Sequence, residues 1–435
     1  MQTSLETLGQ LERRLNVAVP IADIETEIGK RLARLAKSAK VAGFRPGKVP
    51  MKLVAQQYGP QVRSDVITDT VQKTFSDAVR AQNLRVAGYP RIEAKPGTDT
   101  GQLEFTAVFE VYPEVHIGDL SSATIERPVA EVLPSDVENT IETLRKQRTR
   151  FDVVPRAAAS GERATVDFTG RIEGVEFGGG QAKDFPILIG EGRMLPEFEE
   201  AVTGMKAGDT KTFTMTFPAD YHGKEVAGKL AEFVLTVQSV ATPVLPPLDA
   251  EFAKAFGIAS GDVGDLKAEV MSNLRFELKR KIEAKVKEQA LAALRKSAEF
   301  AVPKALVDIE AQNMAQRMAA DLQQQGMKAD DVKLTPELFR ANAEGRVALS
   351  LALSEVVRHE SLHAKPEQVK ALVVEVAQTY EQPDAVVRWH YEKPERLNEF
   401  EALAVESNVV SWVLARAMVQ DKPATFAEMM TPAAL

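Results

Sequence analysis

Three prolines in seven residues, Ala241-Thr242-Pro243-Val244-Leu245-Pro246-Pro247, cut the chain into two texts with different periods. Proline lacks an N–H and fixes φ, so no helix or central strand continues through such a segment. Ahead of it, from 161 to about 240, apolar and polar residues alternate. Ala164, Val166 and Phe168 interleave with Thr165, Asp167 and Thr169, and Phe213, Met215 and Phe217 interleave with Thr212, Thr214 and Thr216. Phe233, Leu235 and Val237 form a third such face. Period two marks strands buried on one side. One short helical stretch, 196–202, breaks the series, so a half-barrel wrapped on a helix is expected over 151–243. Beyond the prolines, Leu266, Val270, Leu274, Leu278, Ile282 and Val286 recur every four residues. A helix turns in 3.6 residues, so this ladder creeps about half-way around the cylinder and needs different neighbours along its course. Pro303 opens a further helix that Gly326 ends, Thr335-Pro336-Glu337 opens another running to about His363, and more helices fill 366–420. Residues 244–435 are expected to be all-α.

The first 113 residues mix both periods. Leu11, Leu15, Val17 and Val19 share one side of a strand over 11–19, and Pro20 opens a helix striped by Ile21, Ile24, Ile28, Leu32 and Leu35. Helical segments through Arg80 offer Val62, Val66, Val71, Phe75 and Val79 to the core. Leu103, Phe105, Ala107, Phe109 and Val111 alternate again. A small α+β domain over 1–113 follows, then a linker arm over 114–150 with a helix from Pro134-Ser135-Asp136 to about Arg150.

Between the helices of the first domain stands Gly43-Phe44-Arg45-Pro46-Gly47-Lys48-Val49-Pro50. Its glycines permit unusual backbone angles and its prolines stop the helix. An aromatic beside two cations is wasted in a core, so an exposed tip that docks on a partner is expected. No acidic residue occurs between Glu27 and Asp65, whereas Lys30, Arg31, Arg34, Lys37, Lys40, Arg45, Lys48, Lys52 and Arg63 do. On a chain of net charge −8 this is a local inversion of sign, suited to RNA phosphates. A solvated helix face is the plainer account of the same charges.

At 435 residues the chain implies two to four domains. It contains no cysteine, which excludes a disulfide framework or a thiolate site. The first ten residues lack the pattern of a secretory signal, and no window approaches a membrane span, so a cytoplasmic protein without a membrane partner is expected. His359 and His363 are spaced for one helix face, but no third ligand completes a metal motif, and a solvated face is the expectation. No GxxxxGK[ST] loop is present, and no cofactor is implied.

Gly43, Phe44, Arg45, Gly47 and Pro50 fit the Gly-Phe-Arg-x-Gly-x-x-Pro motif, and the segment resembles the ribosome-docking loop of bacterial trigger factors. The likeness extends over nearly the whole chain. It implies docking on the large ribosomal subunit near the tunnel exit, on protein and RNA, through Gly43 to Pro50. It also implies a helical substrate-binding domain enclosing unfolded or nascent polypeptides. Met271, Met314, Met318, Met327, Met418, Met429 and Met430 lie in that region; thioethers suit varied apolar partners, and equally fill gaps in a core. A homodimer off the ribosome fits a chaperone with exposed apolar surface.

Val166-Asp167-Phe168-Thr169-Gly170, Gly174 with Phe177, Gly190-x-Gly192-x-Met194-Leu195-Pro196-x-Phe198-Glu199, Met205-x-x-Gly208 and Phe217-Pro218-x-x-Tyr221 resemble FKBP-type prolyl isomerases. The resemblance implies a cleft lined by Phe168, Phe177, Phe185, Met194, Leu195, Phe198, Tyr221 and Phe233, with Phe198 as its floor. The Leu195 amide and the Tyr221 hydroxyl would hold substrate carbonyls. Rotation about an X-Pro bond breaks no covalent bond; its barrier of roughly 18–20 kcal/mol is amide resonance. An apolar cleft disfavours the charge separation of that resonance, so aromatic walls are a sufficient inventory. Two positions depart from the family pattern: Gly178 stands where an acid is usual, and Phe198 where tryptophan is frequent. The combined expectation is an ATP-independent, ribosome-associated chaperone carrying a prolyl isomerase. A freestanding isomerase and an RNA-binding regulator are the rival readings.

Overall fold

A computed structural model of the protein describes residues 2–39, 44, 49–94, 101–221, 223–326, 334–378, 380 and 382–431. The chain mixes helix and strand in two compact units, Met1–Arg127 with Ala284–Asp421, and Pro128–Glu283 with Lys422–Leu435. Its larger sheets are open rather than closed into barrels.

In the first unit, four antiparallel strands lie in the order Gln2–Thr7, Glu12–Pro20, Gln102–Val111, Val86–Ala94. Register places Leu15 opposite Ala107 and Val17 opposite Phe105, so one face of the central pair is continuously apolar. The helices Ile21–Ala36 and Met51–Ala81 cover that face with Ile24, Ile28, Leu32, Val54, Val66 and Phe75. Phe75 meets Phe109 edge to face at 5.2 Å. Ile21, expected in the stripe, is instead exposed in the first turn. The two outer strands were not foreseen. Gln2–Thr7 has a single large apolar residue, Leu5, and joins the sheet through its backbone. Val86–Ala94 contains Gly88 and Pro90, and its register slips between Ala87 and Arg91.

Gly88 also serves packing. Its φ is +78°, and a Cβ there would fall 2.7 Å from the Cβ of Ala305. That approach seats the start of the helix Lys304–Gln324 on the strand. The neighbouring Glu110 carboxylate accepts the orphan Ala305 N–H at 2.7 Å, as an acid at a helix N-terminus should. Lys304–Gln324 pairs with Arg340–Glu360 through Val307, Ala311, Ala343 and Val347. Pro366–Ala377 pairs with Asn398–Leu414 through Val369, Val373, Phe400 and Ala404.

The region after 244 is mainly helical but not all-α. Ala298–Glu299 pairs with His116–Ile117, and Met418–Pro423 with Thr124–Val129. These ribbons tie distant parts of the chain and are too short or too polar to show alternation. The helix expected to reach His363 stops at Glu360, where Ser361 turns left-handed at φ 56°. His359 and His363 therefore do not stand one turn apart on a helix; both are exposed, and His359 Nδ1 lies 3.1 Å from Glu360.

In the second unit, an antiparallel sheet runs Thr210–Thr216, Leu230–Val244, Arg163–Ile172, Val175–Leu188. Arg150–Val153 pairs with the far end of Leu230–Val244, so the chain enters and leaves this sheet side by side. The short helix Pro196–Val202 buries Phe198, Ala201 and Val202 in its core. The linker helix Pro134–Gln147 ends three residues short of expectation and packs Val137 and Ile141 with Phe252, Leu266 and Val270. Along Val263–Ser297 the ladder is buried at Leu266, Val270, Leu274 and Leu278, then at Val286, and the burial continues at Ala290 and Leu294. The creeping stripe thus changes neighbours along one helix.

Phe105 lies wholly inside the first core. Phe105→Ala should cost about 3–5 kcal/mol, read as a lowered urea midpoint for the transition of that unit. An unchanged midpoint would remove Phe105 from the core.

Candidate functional site

Phe168, Phe177, Met194, Leu195, Phe198, Tyr221 and Phe233 converge on one cleft of about 370 Å3. Phe198, at 2% exposure, is its floor. Its ring meets Phe168 at 5.2 Å, Phe213 at 5.5 Å and Phe233 at 5.6 Å, all close to perpendicular. Edge-to-face contacts of this kind each add about 0.5–1.5 kcal/mol to area burial, and three of them fix the ring. Phe177 meets Phe217 at 5.9 Å, and Phe217 meets Tyr221 at 4.9 Å, which carries the aromatic wall to the mouth.

Phe185 is the exception among the expected residues. It does not line the cleft; its ring is 37% exposed and touches Phe168 edge to face at 5.8 Å from outside. Phe185 pairs with the buried Val166, and the register of its strand slips immediately beyond that pair, where Phe168 meets Ala182. The lining residues missed are Met215, Phe217 and Val226, together with Gly179, Gly223, Lys224 and Glu225. The first two sit on the alternating face Phe213, Met215, Phe217, so their inward direction was readable; Val226 lies in a loop with no such signal.

Glycines make room for these rings. Gly170 sits opposite Phe233 in register, and a Cβ there would lie 2.5 Å from the Phe233 ring. A Cβ at Gly180 would lie 2.8 Å from the Phe177 ring. Gly178 and Gly179 form part of the lining, so the position where an acid is usual leaves no carboxylate in this wall. The loop bearing Met194 and Leu195 is pinned by the buried Glu199, whose carboxylate accepts from Gly190 N at 2.8 Å and Met194 N at 3.3 Å. The Leu195 N–H has no hydrogen-bond partner among the described residues.

A second carboxylate holds the ends of the domain together. Glu162, 4% exposed, accepts from Thr242 Oγ1 at 2.7 Å and from Ala159 N at 3.0 Å, and pairs with both Arg156 guanidinium nitrogens. The Thr242 hydroxyl, then the Ala159 amide and Arg156, hold its pKa below the usual glutamate value against the cost of burial. A depressed folded pKa contributes stability above the unfolded value of about 4.3, and that contribution is lost as pH falls through the folded pKa. Urea midpoints followed below pH 5 should therefore fall more steeply for the parent chain than for Glu162→Gln, which starts lower at neutral pH. Parallel profiles would show that Glu162 carries none of the acid sensitivity.

The other expected site lies in the first unit. Phe44 is 41% exposed, as a docking aromatic requires, and Pro50 precedes the helix Met51–Ala81. Val49, expected at the exposed tip, is instead 7% exposed and belongs to the core cluster, because the chain must turn inward to start the helix. Gly43, Arg45, Pro46, Gly47 and Lys48 lie outside the described residues. The basic run is partly neutralised: Arg31 contacts Asp69 at 2.5 Å, Arg63 contacts Glu25 at 2.7 Å and Lys30 contacts Glu27 at 3.5 Å. Arg34, Lys37 and Lys52 have no ion-pair partner among the described residues. Of the methionines, Met318 and Met418 are exposed, Met429 is buried, Met271, Met314 and Met430 pack partly buried, and Met327 lies outside the described residues. No described helix is long and apolar enough to cross a membrane.

The family profile described as bacterial trigger factor protein matches residues 1–144, and that of the trigger factor C-terminus matches 262–415. The profile of FKBP-type peptidyl-prolyl cis-trans isomerase matches 154–238. The Trigger factor of Aromatoleum aromaticum is 52% identical over 434 residues, covering 100% of both chains. That of Nitrosospira multiformis is 50% identical over 432 residues, covering 99% of both. A solved trigger factor chaperone chain covers 95% of this chain and 99% of its own length at 18% identity, with a TM-score of 0.46, a likeness too weak to bear structural weight. With half its residues shared from end to end with such relatives, the chain belongs to the trigger factor family and carries an FKBP-type domain in its middle.

Proposed function

We propose that the protein is a cytosolic, ATP-independent chaperone that docks on the large ribosomal subunit beside the tunnel exit, shields emerging chains and isomerises their X-Pro bonds. The convergence of seven aromatic and apolar side chains on one cleft carries the isomerase reading. Phe198 floors the proline site, the unpartnered Leu195 N–H receives a substrate carbonyl, and Tyr221 stands at the mouth. Low polarity destabilises the planar, charge-separated amide more than the twisted one, which is differential binding of the transition state. With Gly178 in place of an acid, that wall acts by polarity and shape, and the charged side chains of the described lining are Lys224 and Glu225.

Functionally the chain divides into a ribosome-binding segment 1–113, an arm 114–150, the isomerase 151–243 and a helical client-binding segment 244–435. Docking uses Phe44 with Arg45 and Lys48, backed by Arg34, Lys37 and Lys52. The ion pairs of Lys30, Arg31 and Arg63 favour one rival, a freestanding isomerase, because they reduce the charge offered to RNA.

Two measurements test this reading. Phe44→Ala with Arg45→Ala should weaken ribosome co-sedimentation by about tenfold or more, as loss of an anchoring aromatic and its arginine does. Unchanged pelleting across a salt series would support the freestanding enzyme. Phe198→Ala should slow catalysed proline-limited refolding about tenfold or more while suppression of client aggregation stays within about twofold. Phe198→Leu, which keeps a large apolar side chain there, guards against simple unfolding. Full catalysis by both variants would remove Phe198 from the site.

A further inference from the structure

The two charged side chains in the aromatic cleft, Lys224 and Glu225, are neighbours in one turn. Gly223 O accepts the Val226 N–H at 3.0 Å and the Ala227 N–H at 3.1 Å, which makes Lys224 and Glu225 the central pair of the turn Gly223–Val226. The turn is held on both sides. Val226, 8% exposed, belongs to the domain core, and the Gly228 N–H donates to Phe217 O at 3.1 Å. Gly223 packs closely: a Cβ there would lie 3.3 Å from Val226 and 3.5 Å from the Tyr221 ring. Lys224 and Glu225 are both exposed, and neither has an ion-pair partner among the described residues. Other charges beside the lining are paired with each other. Glu191 meets Arg193, which precedes Met194, at 3.0 Å, and Arg171 meets Glu176, which precedes Phe177, at 3.1 Å. Glu197 and Asp220 are exposed and lie outside the lining.

A fixed turn that offers one cation and one anion to whatever enters the cleft reads the residues around the rotating bond. We propose that the turn Gly223–Val226 sets which charged neighbours of an X-Pro bond the cleft accepts, Lys224 meeting acidic residues and Glu225 basic ones. Opposite charges on adjacent residues nearly cancel at a distance, so neither sign of substrate is repelled on approach and each finds a partner on contact. Gly178 and Gly179 add no side chain to the lining that would exclude either. The inference rests on the isomerase reading and names its substrate class, X-Pro bonds flanked by either charge. Contacts at an exposed rim are weak and screened by salt, so the turn selects among bonds and leaves the twisting of the amide to the aromatic walls.

Catalysed cis–trans exchange is followed by NMR, with the full chain, on two peptides that hold the same Phe-Pro bond between two Glu or between two Lys residues. The readout is the ratio of kcat/KM for the Glu peptide to that for the Lys peptide within one variant, so a loss common to both cancels. The parent ratio should lie within about twofold of one at low salt. Lys224→Glu should lower it about fivefold and Glu225→Lys should raise it about fivefold, and both shifts should collapse at high salt. A parent ratio outside that range, ratios that neither reversal moves, or shifts that survive high salt overturn the proposal. Should one variant fail to fold, the other decides it. Parent catalysis of neither peptide sinks the isomerase reading together with this inference, whereas catalysis with an unmoved ratio sinks this inference alone.

Discussion

A domain spliced into the middle of a chain must bring its two ends together, and the strand Leu230–Val244 meets that demand. Its far end pairs with Arg150–Val153, so arrival and departure lie in adjacent strands. Glu162 then fastens Arg156 and Ala159 on the arriving side to Thr242 on the departing side. The same strand carries Phe233, whose ring lies over Gly170 and against the cleft floor. Closure of the domain and the shape of the cleft are consequences of one antiparallel pairing. A bulky residue at Gly170 would act on both at once.

Much of this was legible because burial leaves a period. Leu15, Val17 and Val19, and Phe105, Ala107 and Phe109, alternate because only one sheet face is covered. The four-residue ladder from Leu266 foretold a helix that changes neighbours, and Leu278 and Val286 are buried on either side of the break between units. Seven cleft residues were found from ordered motifs, which preserve spacing where periodicity is silent. What escaped was set by backbone rather than side chain. Gln2–Thr7 joins its sheet with almost no apolar signal, and the ribbons 298–299 and 418–423 are held by main-chain pairing. Phe185 is a different case: it packs on Phe168 without joining the cleft lining, a distinction of side-chain placement that the order of residues does not carry.

Charge shows a similar limit. The run from Lys30 to Arg63 is unbroken in sequence, yet Glu25, Glu27 and Asp69 from outside the run reach three of its cations. Helix geometry and the packing of two helices decide which cations remain, and among the described residues Arg34, Lys37 and Lys52 are those left without an ion pair. Surface pairs of this kind contribute little to stability, so their main effect is on the field a polyanion meets.

Val49 and Phe44 sit five residues apart in one motif and do opposite things, one shut inside the domain and one standing in water. Under the docking function proposed above, a systematic alanine survey of the motif would score both as needed for ribosome attachment. For Val49 the loss would come from loosening the anchorage of the loop, and it would be reversed by cooling or by a stabilising osmolyte. One motif therefore holds two physical roles, an aromatic offered to solvent and an apolar residue that fixes the end of its loop in the core.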